Sequence, residues 1–195
     1  GGFTITGSGQ RFDLMDGGVH LQGSDHVLEG VTVRETLFGI LVERCERAKV
    51  VNCTVIGTGL PAMGLRGDGI RLWETNDSVV TDNHVTDSRD VVVWYSSRNL
   101  LARNHVTRSR YGTHFMYSHD NVVEDSEYVA CEVGVFAMYS HDIVLRRKAL
   151  ALEAALSQRE ALLSGRYPNL EAQIRDLAAL RLQVVRKTLD GPADG

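Results

Sequence analysis

Proline and cysteine are scarce in this chain, three of each among 195 residues, and basic charge is not in excess. The formal net charge of −4 argues against nucleic acid as a partner, because phosphate backbones are usually met by a basic face. No run approaches the roughly 18 apolar residues that a membrane-spanning helix needs. No secretory leader opens the chain: Gly1-Gly2-Phe3-Thr4-Ile5-Thr6 alternates like a strand already in progress, which leads us to expect a start inside a domain. The three cysteines are odd in number and fall at unrelated positions, so no disulfide framework is implied. Runs rich in Ala, Leu and Glu are missing before residue 147, which speaks against helical repeats there.

What is present is one phrase written four times. Gly69-Ile-Arg-Leu-Trp-Glu-Thr75, Asp90-Val-Val-Val-Trp-Tyr-Ser96, Gly112-Thr-His-Phe-Met-Tyr-Ser118 and Gly134-Val-Phe-Ala-Met-Tyr-Ser140 recur with a period of about 21–22 residues. Gly39-Ile-Leu-Val42 and Gly18-Val-His-Leu21 extend the series backwards, and Phe3–Thr6 fits the tail of a still earlier coil. The wider gap between Gly39 and Gly69 places an inserted loop around Thr58–Arg66, where glycines and Pro61 cluster. A period this short means a solenoid, in which each repeat buries its apolar side only by stacking on its neighbours. Val, Ile and Thr dominate with period-2 alternation, and the Leu-x-x-Leu-x-Leu phrase of leucine-rich repeats is missing. We therefore expect an all-β fold over residues 1–147, a right-handed parallel β-helix of about six coils. Asn83, Asn104 and Ser126 would stack as a turn ladder, as would Asp77, Arg98, Asp120 and Asp142.

Alternation sorts the side chains. Ile70/Leu72, Val91/Val93, Thr113/Phe115 and Val135/Ala137 form the inward parity. The outward parity then holds Arg71, Val92, His114 and Phe136 in one column, and Trp73, Trp94, Met116 and Met138 in the next. Two Trp and two Met on successive coils make an apolar stripe on an outer face, and such stripes are usually covered. An internal cover by a loop or by the C-terminal segment satisfies this as well as a docking face or a soft-metal site does. For the metal reading, His114 and Met116 project the same way, Met138 stacks beside Met116, and His119 and His141 stack on the adjoining turn. Imidazole with thioether is a ligand set for Cu(I). The competing reading of the two turn histidines is hydrogen bonding along their ladder, and the stacked pair His84/His105 reads as structural. Cys45 takes the turn position of Thr75 and Ser96, Cys131 that of Ser88 and Ser109, and Cys53 lies by the Asn ladder. The turn carboxylates, interleaved with Arg98, read as a neutralising ladder rather than an acid/base pair. This leaves a binding protein, not an enzyme, as the first expectation, and a carbohydrate-active β-helix enzyme of the uronate epimerase or lyase type as the alternative. The Asp-Pro-His phrase of alginate epimerases is absent.

Gly7-Ser-Gly…Met15-Asp-Gly-Gly-Val19, Leu37–Ile40, Arg66–Trp73, Ser88–Asp90 and His114–Ser118 together resemble the NosD family over roughly residues 2–147. The resemblance implies a periplasmic β-helix protein that serves copper delivery to nitrous-oxide reductase. Its implied partners are an ABC transporter with ATPase and membrane subunits, a copper chaperone lipoprotein and the reductase itself. Family members are longer, so this chain would correspond to an inner part of the β-helix. The family phrase lands on His114, Met116 and Tyr117, while the metal assignment to Met116, Met138, His114, His119 and His141 rests on ligand softness and stacking. Trp73, Trp94, Phe136, Tyr117 and Tyr139 form the expected docking stripe. From Arg147 the composition changes to Ala/Leu/Glu, and residues 148–195 read as an α-helical hairpin or cap, broken at Gly165 and Pro168, with no counterpart in that resemblance.

Overall fold

The computed structural model describes residues 2–8 and 16–147. The helical reading of residues 148–195 lies outside them. The described chain is a parallel β-solenoid of six coils, each coil laying one strand into each of three sheets. The first sheet stacks β1 (Phe3–Thr6), β4 (Val31–Arg34), β7 (Thr54–Ile56), β10 (His84–Thr86), β13 (His105–Thr107) and β16 (Glu127–Val129). The second stacks β2 (Gly17–Ser24), β5 (Phe38–Glu46), β8 (Ile70–Trp73), β11 (Asp90–Trp94), β14 (Tyr111–Met116) and β17 (Val133–Met138). The third stacks β3 (Val27–Glu29), β6 (Lys49–Val51), β9 (Val79–Thr81), β12 (Leu100–Ala102), β15 (Val122–Glu124) and β18 (Val144–Arg146). Among the described residues no helix is long and apolar enough to cross a membrane. The inserted loop falls where its glycines place it, between β7 and β8. A single 3₁₀ turn, Met63–Leu65, forms in it, and buried Arg66 pins it by donating to the carbonyls of Leu60 and Arg108, both at 2.6 Å.

Strands this short are set by what ends them. A residue with positive φ closes nearly every strand, and in the repeated phrase it is Glu74, Tyr95, Tyr117 or Tyr139, with φ between 49° and 52°. An L-residue there costs roughly 1–2 kcal/mol. The next residue offsets that penalty by turning a small hydroxyl into the coil. Thr75, Ser96, Ser118 and Ser140 each donate to the carbonyl two residues back, and the later hydroxyls accept the backbone N–H of the preceding coil at 3.0–3.1 Å. Cys45 occupies the same place, its N–H donating to Thr75 Oγ1 at 3.4 Å. Cys131 likewise follows Ser88 and Ser109 in donating to the carbonyl two residues back.

Buried asparagines fill two further corners. Asn83 Nδ2 donates to Asn104 Oδ1 at 2.9 Å, and the Asn104 N–H donates to Ser126 Oγ at 3.2 Å, which is the ladder read from the sequence. Asn99 and Asn121 form a second ladder, Asn99 Nδ2 donating to Asn121 Oδ1 at 3.1 Å. Outside these corners arginine and aspartate alternate, with Arg98 on Asp77, Arg103 on Asp82 and Arg108 on Asp87, all at 2.7 Å.

The core is the inward parity. Ile40, Ile70, Val91, Val42, Leu72, Val93 and Phe115 are all buried, Phe115 completely. The step from a 21- to a 22-residue repeat is absorbed by a bulge, since Asp90 pairs with Tyr111 but Val92 with His114. Gly112 sits in that bulge, and a Cβ there would lie 2.2 Å from the Tyr128 ring.

Candidate functional site

The outer face of the second sheet carries two columns in strict register. One runs His20, Leu41, Arg71, Val92, His114, Phe136, and the other Glu43, Trp73, Trp94, Met116, Met138. Both columns are those that alternation assigned outward. The face is nonetheless not an open stripe. Leu41, Val92 and His114 are buried, while Trp73, Trp94, Met116, Met138 and Phe136 are half-buried. Leu37, Phe38 and Leu41 form a second small apolar cluster, with the Arg71 guanidinium 4.5 Å above the Phe38 ring.

His114 is the centre of this face. Its ring meets Trp94 edge-on at 5.4 Å, Tyr111 edge-on at 5.0 Å and Phe136 at 5.4 Å. Its Nδ1 lies 3.3 Å from Asp90 Oδ2, while its Nε2 is buried without a hydrogen-bond partner, as is Trp94 Nε1. Buried nitrogens without partners are rare, because each forfeits its hydration. A histidine whose Nδ1 is held by a carboxylate and whose Nε2 is bare is the arrangement by which proteins present imidazole to a metal.

Behind Asp90 stands a charge network that the sequence reading missed. Asp90 is fully buried and receives Arg110 Nε at 3.1 Å, Arg110 Nη2 and the Tyr111 N–H at 3.1 Å. Asp68, also fully buried, receives Arg71 at 2.8 and 2.9 Å and Arg89 at 2.7 Å. Burial pushes the Asp90 carboxyl upward, but the hydrogen bonds from His114 and Arg110 and the nearby guanidinium charges outweigh it and hold the group below the ordinary carboxylate range. The available signal was the charged residue opening otherwise apolar phrases, in Arg66-Gly-Asp68 and Ser88-Arg-Asp90.

The other nominated ligands are placed as follows. Met116 and Met138 are register partners on β14 and β17, with Met116 two residues beyond His114 on the same face. His119 and His141 stack ring on ring, centroids 3.7 Å apart and 14° from parallel. The His141 N–H donates to His119 Nδ1 at 3.2 Å, and His141 Nδ1 lies 2.7 Å from Asp142. Parallel rings set their lone pairs side by side rather than converging, so this pair does not chelate one ion in this geometry. Tyr117 and Tyr139 form an outer stack with Tyr95, at 5.2 and 4.9 Å, and that stack is exposed. His84 and His105 pair in register on the first sheet, away from this face. Burial pushes the Cys45, Cys53 and Cys131 thiols up, away from the thiolate form that metals take. Among the described residues no three His, Cys, Asp or Glu side chains gather as a metal cluster, so a metal on this face would draw on thioether sulfur.

Fold and site together define a parallel β-solenoid in which two of the four buried, unpartnered side-chain polar atoms among the described residues, His114 Nε2 and Trp94 Nε1, lie on the outer face of one sheet. The family model described as periplasmic copper-binding protein (NosD) matches residues 49–150, just over half of the chain, and the chain belongs to that family. No curated protein and no solved structure matches it.

Proposed function

We propose that this protein binds copper as Cu(I) on the outer face of the second sheet and passes it on during assembly of the nitrous-oxide reductase copper site in the periplasm. Copper is cargo here, and the protein binds and releases it without catalysing a reaction. The observation that carries the reading is the bare, buried Nε2 of His114, on one face with the Met116 and Met138 thioethers. Thioether is a soft ligand that favours Cu(I) over harder divalent ions, imidazole is a common copper ligand, and the Trp94, Tyr111 and Phe136 rings shield the imidazole from water. The family description, a periplasmic copper-binding protein, supports the same cargo and compartment. Delivery needs a donor and an acceptor, for which we propose a copper chaperone lipoprotein and the reductase, with an ABC transporter of ATPase and membrane subunits as the driving machine. Trp73, Trp94, Phe136, Tyr117 and Tyr139 form the docking stripe in this scheme, and at its margin exposed His141, stacked on half-buried His119, offers imidazole to incoming copper.

A Cu(I) competition titration against a chromogenic chelator tests the site. His114→Ala and the Met116→Ala/Met138→Ala pair should each weaken binding by more than about tenfold, the lower bound for loss of groups that merely support a ligand. Wild-type affinity in both variants would remove this face from consideration.

A further inference from the structure

We propose that Asp90 is a positioning residue for copper binding: by accepting the Nδ1 proton of His114 it keeps the Nε2 lone pair of that ring free for the metal. The proposal rests on the reading of His114 as a copper ligand and adds to it the group that sets the ligand's tautomer.

The geometry assigns every lone pair of the carboxylate. Oδ1 accepts from Arg110 Nε and from the Tyr111 N–H, both at 3.1 Å. Oδ2 accepts from Arg110 Nη2 and faces His114 Nδ1 at 3.3 Å, with Arg89 Nε a further ion-pair partner at 3.9 Å. An ionised carboxylate can only accept, so the imidazole nitrogen facing it must carry the proton. In the neutral ring the other nitrogen is then a bare acceptor, buried where no protein group hydrogen-bonds to it. Three guanidiniums hold the two carboxylates of the network, so Asp90 cannot swing away from the ring without breaking its bonds to Arg110 and the Tyr111 N–H.

The same arrangement predicts what an isosteric amide would do. In Asp90→Asn the amide oxygen belongs at the Oδ1 position, where two donors point at it. The amide NH₂ then occupies the Oδ2 position, where Arg110 Nη2 loses its acceptor, and donates to His114 Nδ1, the one partner of the carboxylate that can reverse its role. The ring responds by moving its proton to Nε2, and the metal-facing lone pair disappears, although shape and volume barely change.

The test is ¹⁵N NMR of histidine-labelled, metal-free protein at neutral pH, run beside Cu(I) titration against a chromogenic chelator. The wild-type His114 ring should show a protonated Nδ1 and a bare Nε2, and Asp90→Asn should show the reverse with Cu(I) affinity down about 10–100-fold. A wild-type ring carrying a proton on Nε2 overturns the proposal, whether or not the Asn variant folds. So does an Asp90→Asn protein that keeps the wild-type tautomer and affinity while His114→Ala loses affinity, an outcome that leaves the copper reading standing. If His114→Ala itself binds Cu(I) as tightly as wild type, the copper reading fails and takes this proposal with it.

Discussion

A buried amide in the corner of one coil binds groups on both neighbouring coils, because a polar side chain recurs at the same height one repeat away. Asn83 shows how much one such residue does. Its oxygen accepts the Cys53 N–H at 2.9 Å, while its nitrogen donates to the Val50 carbonyl at 3.0 Å and to Asn104 Oδ1 at 2.9 Å. Truncation would take a partner from three groups in a fully buried corner, of which Asn104 Oδ1 keeps a second one, the residue-83 backbone N–H at 3.1 Å. Asn83→Ala should therefore lower the unfolding free energy by about 2–3 kcal/mol, read from urea denaturation. Asn83→Asp should also destabilise, since the corner needs a donor toward Val50 that a carboxylate lacks. The same accounting explains why the cysteines sit where they do. Each is a weak donor filling a hydroxyl or amide place in a corner ladder, and neither Cys45 nor Cys53 has solvent access.

At the scale of the strand and its corners, electrostatics ties neighbouring coils together. Asp25, Asp77, Asp82 and Asp87 are each held below the ordinary carboxylate range by hydrogen bonds from Arg47, Arg98, Arg103 and Arg108. These pairs lie at the surface, where screening keeps each contribution small. Asp90, held low against its burial, is the inner member of the set. The sign follows from linkage. A carboxylate whose folded pKa is depressed adds stability that is complete above its unfolded pKa, near 3.9, and that is lost as pH falls through the folded value. The thermal midpoint should thus stay level from neutral pH to about pH 5 and fall steeply below about pH 4. A midpoint that holds level down to pH 2.5 would show that these bonds contribute nothing to the fold.

For the whole molecule, the solenoid supplies a long face on which successive coils repeat one chemistry at strand spacing. On the outer side of the second sheet the half-buried indoles and thioethers give way to an exposed stack of Tyr95, Tyr117 and Tyr139. If that stack docks a partner, Tyr117→Ala/Tyr139→Ala should weaken capture of the reductase or its copper chaperone while Cu(I) affinity stays at the wild-type value. Pull-down with purified partners, beside the chelator titration, separates docking from metal binding. Unchanged capture would mean that the tyrosines serve only their own stacking.

Much of the fold was legible because a solenoid writes its geometry in the chain. Period gave the number of coils, alternation gave the inward column from Ile70 to Phe115, and glycine with proline marked the loop before Arg66. The Asn83–Asn104–Ser126 ladder was equally readable, since ladder partners are one repeat apart. The site was legible only in part. His114 and Met116 share a face by parity alone, so the sequence could nominate them together. Asp90 and His114 lie 24 residues apart and meet across a bulge, where the register slips by one and simple counting fails.

What the sequence by itself determined is the repeat, and with it the β-solenoid and its inside and outside, because period-2 alternation along each strand of a stacked coil admits one inward side. Tertiary structure alone decided how enclosed the outer face is and which nitrogen of His114 is left bare. Burial of Val92 and His114 depends on what lies over them, and a tautomer depends on the carboxylate that faces it, and neither relation has a period.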